Sequence, residues 1–457
     1  MTVTTLEVPR SFDDKLAEVD RAAGRNRVWT FGFIGLVILY FAGSWIQFDL
    51  GSVINRWNSD RAALFVLDTY AHKDHISMRW KEPEEVVVAF EGGHRNVYDP
   101  NPDWMRQTDT GGSEVSFDNG GTMTIFRDRV EMANWPDTAE TFVFRRDRND
   151  KPYVEGYRDR LDELPDWIRA TENKVEVRPS LFERLQVYKS KVEIHRYEVG
   201  WKYFWFDFDS PLSGTGFFGA IGLILSGDRV DPEQSNLSLV LYEFLDNNLW
   251  HHGTVLFAML ETVLMALIGT MFASLIGLPL AFIAARNVMP FAWLRFATRR
   301  LFDFLRGVDT LIWSLIFLRA FGPGLFTGMF AIAFTDTGTL GKLMSEAIEN
   351  ADNKQVEGVQ STGAKRVQRY RFGILPQIMP VFISQSLYYL ESNTRSATII
   401  GAMGAGGIGL QFLGALQTGN DFENVAYIAL LVLLTVVAMD ALSAWLRRML
   451  IGHEKDR

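Results

Sequence analysis

The chain has 457 residues, a formal net charge of −9 at pH 7, a mean hydropathy of +0.01 and no cysteine. Its length is sufficient for two or three domains. The lack of cysteine excludes a disulfide framework and a thiolate zinc site, so the sequence does not indicate a redox compartment.

The first apolar segment is VWTFGFIGLVILYFAGSWIQF, residues 28–48. Its 21 uncharged positions are enough for a helix, rising about 1.5 Å per residue, to cross a hydrocarbon core of roughly 30 Å. A cleaved signal peptide is the alternative, but the segment lies well inside the chain and lacks a small-residue cleavage site. We interpret it as a membrane helix that follows a cytoplasmic tail of residues 1–27.

Residues 49–250 differ in composition from the rest of the chain. They hold 36 Asp and Glu against 24 Lys and Arg, a net charge of −12, whereas the remaining residues carry +3. SEVSFDNGGTMTIFRDRVEMA and ETFVFRRDRNDKPYVEGY alternate apolar and polar residues around turn sequences, which predicts strands and hairpins. RLDELPDWIRA, residues 160–170, predicts short helices. We therefore expect an inserted α+β domain.

One segment of this insertion, PLSGTGFFGAIGLILSG at residues 211–227, is uncharged over 17 positions. That length is marginal for a membrane span. A span here would also place every later loop on the wrong side for its positive charges. We predict a surface-lying or packed segment instead.

Five further apolar segments follow, at about residues 254–284, 301–321, 324–344, 374–394 and 424–446. Positive charges in short loops favour the cytoplasmic side. Lys and Arg lie in alternate loops of this series, and six spans with both termini in the cytoplasm satisfy every loop. This topology gives an extracytoplasmic insertion at 49–250, a membrane domain at 251–450, a cytoplasmic loop at 345–373 and a cytoplasmic tail at 451–457.

The 345–373 loop and the start of the next span carry the most specific motif of the chain. Its marked positions are Glu357, Gly358, Gly363, Lys365, Arg366, Leu375 and Pro376. The spacing resembles the cytoplasmic coupling loop of bacterial ABC import permeases, which reads Glu-Ala-Ala, three residues, Gly, nine residues, Ile, one residue, Leu-Pro. Gly358 and Val359 replace the alanines, and Gly373 replaces the isoleucine.

Together with NTRSATIIGAMGAGGIG at residues 393–409, this text resembles the phosphonate and phosphite ABC transporter permeases over about residues 250–450. The resemblance implies an all-α polytopic membrane protein with about six transmembrane helices, a type I ABC importer permease bundle, interrupted by the α+β insertion. It implies a homodimer in the bacterial inner membrane, in contact with membrane lipid, two ATPase subunits and an extracytoplasmic binding protein. The substrate would be a phosphonate, phosphite or phosphate anion.

The same resemblance implies that no cofactor binds this chain, since ATP and Mg would bind the partner ATPase, and that nucleic acid is not a partner. A short helix in the loop could lie in a groove of the ATPase, with Gly363 permitting close backbone approach. Lys365 and Arg366 could pair with acidic groups of the ATPase or with anionic headgroups. Pro376 would occupy the first turn of the next helix, where its missing N–H costs nothing.

The glycine-rich stretch GAGGIG contains Gly404, Gly406, Gly407 and Gly409, which fit the Gly-x-Gly-x-x-Gly dinucleotide fingerprint. That fingerprint requires a preceding strand, whereas this stretch follows a predicted span. We interpret the glycines as close helix packing or a re-entrant loop at the outer mouth. The sequence has no Gly-x-x-x-x-Gly-Lys-Ser/Thr motif, so we expect the energy to come from a partner.

Ionisable residues inside or at the end of predicted spans mark either pathways or structural pairs; our candidates are Glu261, Asp309, Asp336, Glu391, Arg395 and Asp440. Helix geometry puts Arg395 near the outer end of its span. We expect Arg395 to receive the anion, with Asn393 and Thr394 as hydrogen-bond donors and the N–H groups of glycines 404–409 nearby. The alternative is a structural pair between Arg395 and Glu391, four residues apart.

Two other groups favour structural roles. His72, His75, His251 and His252 lack a third ligand at defined spacing, so we interpret them as surface histidines rather than a metal site. The aromatic stretch GWKYFWFDFDSPLSG, residues 200–214, favours core packing or a position at the membrane interface.

The alternative function is a membrane-anchored sensor or enzyme that works through residues 49–250. A sensor would carry a cytoplasmic output domain, but only IGHEKDR follows Leu450. We therefore expect a transport subunit rather than an enzyme. The sequence does not define which anion is preferred or what the insertion does.

Overall fold

The computed structural model describes residues 12–55, 59–91, 96–136, 138, 140–418 and 421–451. Residues 1–11 of the predicted N-terminal tail and 452–457 of the predicted C-terminal tail lie outside this part. The chain divides into two compact units, Met1–Ala63 and Leu64–Arg457.

The first unit contains the first predicted span. Helix α1 (Phe12–Gln47) includes the apolar stretch Asn26–Gln47, whose length and composition suffice to cross a membrane. The large apolar side chains described from Val28 to Ile46 are mostly exposed, as expected of a segment surrounded by lipid. Helix α2 (Leu50–Asn55) follows, and α3 (Ser59–Thr69) leads into the second unit.

The insertion is built on two antiparallel sheets. In chain order its described strands are β1 (Ala71–Arg79), β2 (Glu82–Phe90), β3 (Met105–Gln107), β4 (Ser113–Ser116), β5 (Thr122–Ile125), β6 (Arg129–Ala133), β7 (Phe142–Arg146), β8 (Pro152–Val154), β9 (Ile168–Ala170), β10 (Lys174–Val177), β11 (Glu183–Tyr188) and β12 (Lys191–Val199). One sheet has the order β2-β1-β12-β11-β10-β9, and the other runs consecutively from β3 to β8. The two sheets share one apolar core, because alternate side chains such as Ile76 in β1 and Val130 in β6 point inward.

The predicted hairpins are confirmed: β4, β5 and β6 pair in sequence, as do β7 and β8. The helices predicted at residues 160–170 are wrong for most of that stretch, which holds one 3-10 turn (Leu161–Glu163) and strand β9. Pro165 cannot continue a helix, and Ile168 pairs with Val177 of β10. Helices of this domain lie before β1 and after β12.

Two short helices follow the sheets, α4 (Phe217–Leu225) and α5 (Asn236–Leu245). They pack together around buried Ala220 and Leu239. Phe218 and Leu225 of α4 are 84% and 80% exposed. With nine residues, α4 is too short to span a bilayer, in agreement with a surface-lying segment at 211–227.

The remaining helices form the second half of the chain. They are α6 (His252–Ala284), α7 (Ala292–Gly307), α8 (Thr310–Phe321), α9 (Leu325–Glu349), α10 (Asn353–Ser361), α11 (Arg366–Arg369), α12 (Leu375–Ile400), α13 (Ile408–Thr418) and α14 (Phe422–Ile451). π-Helical turns at Tyr370–Ile374 and Gly401–Ala405 flank α12.

Length and composition identify fewer spans than the six predicted. Among the described residues, three helices are long and apolar enough to cross a membrane: Asn26–Gln47, His252–Ala284 and Phe422–Ile451. A fourth span is added if two consecutive helical segments are counted as one. These segments are Arg366–Ala405 and Ile408–Thr418, and their axes are bent by 61°.

The predicted third span, residues 301–321, is broken between α7 and α8. Asp309 caps α8 by accepting a hydrogen bond from the N–H of Leu311 over 2.8 Å. Both helices pack along α9, where Phe302 lies against Gly341 and the ring of Trp313 lies 5.3 Å from that of Phe334. Two consecutive helices therefore occupy the place of one predicted span.

The predicted fourth span, residues 324–344, corresponds to α9, a helix of 25 residues that begins at Leu325. Many of its residues are buried, including Asp336 and Thr337. Small residues allow a close approach to α6, since a Cβ at Gly269 would lie 2.9 Å from Ile332. Because much of α9 faces other helices rather than lipid, it can carry polar side chains such as Asp336 and Thr337.

Candidate functional site

The predicted docking motif forms an exposed helical pair between α9 and α12. Helix α10 begins after Asp352, whose side chain accepts a hydrogen bond from the N–H of Lys354 over 2.9 Å. Arg369 of α11 donates to the side-chain oxygen of Gln360 in α10 over 2.9 Å. Every residue of these two helices is at least partly exposed. The motif residues Glu357, Gly358, Gly363, Lys365 and Arg366 are all exposed to solvent, Leu375 is half-buried, and Pro376 lies in the first turn of α12.

Apolar side chains are exposed on this pair and on the π-helical turn that follows it. Val367 is 74% exposed and Phe372 is 60% exposed. An open groove of about 660 Å³ runs between Gly358, Val359 and Phe372. Exposed apolar groups rimmed by polar ones are typical of a protein interface.

Gly363 ends α10 with a backbone φ of +82°, a left-handed conformation that glycine adopts without strain. A Cβ added here would have open space around it among the described residues. Within this chain, glycine is therefore favoured at position 363 by the backbone conformation and not by lack of space. A close approach at Gly363 would involve a partner.

Gly373, which departs from the motif, has a packing role. It is buried, and a Cβ at this position would lie 3.2 Å from the Cα of Val356 in α10. Glycine thus lets α10 pack on the π-helical turn before α12. In the sequence, only the glycine at position 373, just before an apolar segment, pointed to this contact between Gly373 and Val356.

A buried polar group links three long helices. Asn393 of α12 donates from Nδ2 to Thr270 Oγ1 of α6 over 2.8 Å and to Asp336 Oδ2 of α9 over 2.5 Å. All three residues are buried. The sequence singled out Asp336 as an ionisable residue in a predicted span, but it did not single out Thr270. A lone threonine in an apolar helix does not indicate which residue it contacts.

Arg395 points away from Asn393. Its side chain is 61% exposed, and its Nη2 lies 3.1 Å from Oε1 of Glu391. Thr394 is buried, and its hydroxyl donates to the carbonyl of Leu390 over 3.0 Å. The expected grouping of Arg395 with Asn393 and Thr394 does not form in this chain, because successive residues point about 100° apart around a helix.

The glycine-rich stretch makes the turn between α12 and α13. Gly404, Gly406 and Gly407 have φ values of +108°, +85° and +70°. A Cβ at Gly409 would lie 1.9 Å from the carbonyl oxygen of Thr398. A helix precedes the stretch, and its glycines permit a tight turn and close packing.

Two N–H groups of this turn are already bonded. The N–H of Gly407 donates to Oε2 of Glu261 over 3.2 Å, and the N–H of Ile408 donates to Oγ1 of Thr262 over 2.9 Å. Both acceptors belong to α6. The N–H of Gly407 is therefore engaged by a carboxylate of its own chain, while the expected role of the other glycine N–H groups of residues 404–409 stays a prediction.

An aromatic cluster joins the end of the insertion to the long helices. The ring of Trp201 lies 5.3 Å from that of Phe204, and both rings contact Trp250 and Tyr427. His252 is fully buried beside them, with Nε2 2.6 Å from the carbonyl oxygen of Phe204 and Nδ1 2.7 Å from the hydroxyl of Tyr427. The prediction of core packing for this stretch is confirmed.

The interpretation as surface histidines is wrong for two of the four. His252 is 0% and His72 is 7% exposed. The ring of His75 lies 4.3 Å from that of His195, and burial lowers the pKa of His75 to about 4. Within the described residues, no group of three His, Asp or Glu side chains is arranged to hold a metal ion.

Comparison with known proteins identifies similar sequences. The family of binding-protein-dependent transport system inner membrane components matches residues 277–451. The phosphite transport system permease protein PtxC of Stutzerimonas stutzeri is 38% identical over 37% of this chain and 62% of its own length. The phosphate-import permease protein PhnE of Mycolicibacterium smegmatis is 32% identical over 39% of this chain and 34% of its own length.

A shorter relative is matched almost completely. PhnE2 of Escherichia coli K12, named as a cryptic phosphonate transport system permease protein, is 44% identical over 26% of this chain and 98% of its own length. The chain spans somewhat less than two thirds of the phosphite permease and about a third of the phosphate-import permease that it matches.

Proposed function

Because this chain belongs to the family of binding-protein-dependent transport system inner membrane components, we propose that it is the membrane-spanning subunit of an ATP-driven importer of phosphonate, phosphite or phosphate anions. The similar proteins named above are all transport permeases. The alternative of a membrane-anchored sensor or enzyme receives no support from them.

The observation that carries the proposal is the exposed pair α10–α11 between two long helices. Its groove and its exposed Val367 and Phe372 would seat on an ATPase subunit, which would hold ATP and Mg. Two ATPase subunits would serve a homodimer. Their closure on ATP would move α10 and α11, and with them α9 and α12, in an alternating-access cycle.

The exposure of Arg395 supports a second copy of the chain. A charged side chain at the level of the long helices is costly when it faces lipid. Arg395 is 61% exposed beside Glu391, and Asp440 of apolar α14 is exposed as well. We propose that the partner copy covers this face and that Arg395 receives the anion there, while Asn393 joins α12 to α6 and α9.

The insertion would lie outside the cytoplasm, where a binding protein delivers the anion. Its 202 residues, 49–250, far exceed an ordinary connection, and the cluster around His252 ties it to α6 and α14. An insertion held in this way would flank the translocation mouth and restrict how the binding protein approaches.

Reconstitution tests the proposed activity. The chain would be placed in liposomes with its ATPase and binding protein, and uptake of methylphosphonate, phosphite and phosphate would be followed with and without ATP. We expect ATP-dependent uptake of at least one of these anions. Failure of all three, in vesicles whose ATPase responds to the binding protein, would contradict the substrate class.

A further inference from the structure

A cavity of about 210 Å³ lies where the sheets of the insertion meet α6 and α14. Its wall includes Glu91 at the end of β2, Asp421 and Glu423 at the start of α14, and Trp201 and Trp250 from the aromatic cluster. A cavity of about 150 Å³ is large enough for a molecule of the size of benzene. The space between the insertion and the helices can therefore hold a small organic molecule.

Glu423 lacks a partner for one of its oxygens. The residue is 8% exposed, and its Oε2 has no hydrogen-bond partner among the described residues. A buried carboxylate oxygen without a donor is costly. A ligand that brings an N–H donor into the cavity would satisfy it.

Glu423 is surrounded by further acidic side chains. Glu91 accepts a hydrogen bond from the backbone N–H of Lys73 over 2.7 Å. Burial and the nearby Glu423 carboxylate raise the pKa of Glu91, while the Lys73 ammonium acts in the opposite direction. Asp421 and Asp68 are also close enough to act on Glu423.

Lys202 also lines the cavity, but its ammonium is directed to aromatic rings. Its Nζ lies between 5.5 and 5.8 Å from the ring centres of Phe90, Tyr98 and Tyr203, and 3.4 Å from the Tyr98 hydroxyl. The Lys202 ammonium is thus engaged with these rings, and no ion pair joins it to Glu91 or Glu423 in the part of the chain that the structure describes.

We propose that this cavity binds the ammonium group of a small organic amine. A primary ammonium has three donors, which the free oxygen of Glu423 and the carboxylates of Glu91 and Asp421 can accept. The indoles of Trp201 and Trp250 favour an organic cation at the wall. The site is separate from Arg395 and from the α10–α11 pair, so it goes beyond the proposed anion transport.

The test uses the purified full-length protein and ethylammonium chloride as the probe, with binding followed by calorimetry and by the emission of the lining tryptophans. Ethanol serves as the neutral probe of similar size and sodium acetate as the anionic probe. We expect saturable binding of ethylammonium only. Glu423→Gln should weaken it at least about tenfold, because a charge-assisted hydrogen bond is lost.

Glu172→Gln is the matched control, since the Glu172 side chain is 82% exposed and lies elsewhere on the insertion; it should bind like the wild type. Glu91→Gln replaces Glu423→Gln if the latter fails to fold. Absence of saturable ethylammonium binding to the wild type would overturn the proposal. Equal affinity in the wild type and both cavity variants would overturn it as well.

Discussion

Asn393 donates a hydrogen bond over 2.5 Å to Asp336, which lies 57 positions earlier in the chain. The bond joins α12 to α9 at a buried position, and a second bond from the same amide to Thr270 adds α6. A buried amide is well suited to this place because it satisfies an acceptor on each neighbouring helix. The three helices are thereby held in one register.

The hydrogen bond between Asn393 and Asp336 predicts how substitutions at these two positions affect stability. Asn393→Asp should place two carboxylates together and lower the free energy of unfolding by about 3 kcal/mol, as expected when a buried bonded pair is broken. The double variant Asn393→Asp with Asp336→Asn restores one amide and one carboxylate and should recover most of the loss. Thermal unfolding in detergent measures both. Equal destabilisation of the single and double variants would contradict the pairing.

Gly358 provides a test of the docking surface. It lies in α10, and a Cβ here would have open space around it among the described residues. Gly358→Ala should leave ATP hydrolysis by the assembled complex intact and favour the helix by about 1 kcal/mol. Gly358→Trp fills the groove and should reduce stimulated hydrolysis at least about tenfold. Equal rates for both variants would remove α10 from the interface.

A substitution at Gly363 would test the same surface less cleanly. Any side chain there adopts the left-handed conformation at φ +82°, which costs about 1–2 kcal/mol per residue. If such a variant lost coupling to ATP hydrolysis, local backbone strain and blocked docking could not be distinguished as the cause.

Arg395→Gln separates the two roles considered for this arginine. In its pair with Glu391 the Arg395 side chain is 61% exposed and that of Glu391 is 16% exposed. Because ion pairs with a solvent-exposed partner contribute only about 0.2–1 kcal/mol, the melting temperature should change little. Uptake at limiting anion concentration should fall, whereas Arg395→Lys should retain part of it. Unchanged uptake in Arg395→Gln would exclude the anion role, and a large loss of stability would favour a structural pair.

The turn after α12 predicts a contrast between two glycines of α13. Gly409→Ala brings a Cβ to 1.9 Å from the Thr398 carbonyl oxygen, whereas a Cβ at Gly414 meets no described atom within 4 Å. Gly409→Ala should destabilise the protein by about 3 kcal/mol through overpacking, and Gly414→Ala should be neutral or stabilising. The yield of folded protein and its melting temperature distinguish the two. Similar behaviour of both variants would argue against close packing at this turn.

The absence of cysteine makes labelling a direct test of topology. Asn149→Cys in the turn between β7 and β8 should react with a membrane-impermeant maleimide in intact spheroplasts. Gln355→Cys in α10 should react only after permeabilisation. Both positions are exposed, so burial does not limit labelling. The reverse pattern would invert the proposed orientation.

Local features of the fold could be predicted from the sequence. The Asn-Gly-Gly turn and the alternation beside it specify β4 and β5, because hairpins depend on neighbouring residues. The spacing from Glu357 to Pro376, which predicts a docking motif, could be recognised because it lies within 20 consecutive residues. These signals are contained in short stretches of chain.

The contacts of the candidate path could not be predicted in this way. Glu261 binds the N–H of Gly407 from 146 positions away, and Asn393 faces Asp336 rather than Arg395. Helices that are apolar around most of their surface do not indicate which side faces a neighbour. The side on which each polar residue lies is set by packing between helices.

The fully buried His252 has a mechanical consequence. Both of its ring nitrogens are engaged, one with the insertion at Phe204 and one with α14 at Tyr427, while its backbone starts α6. A tilt of α6 or α14 in the proposed transport cycle would therefore move the sheets of the insertion with it. The displacement of the sheets would be larger at the strand tips than at His252. A pair of fluorophores at the far end of the insertion could therefore report this movement.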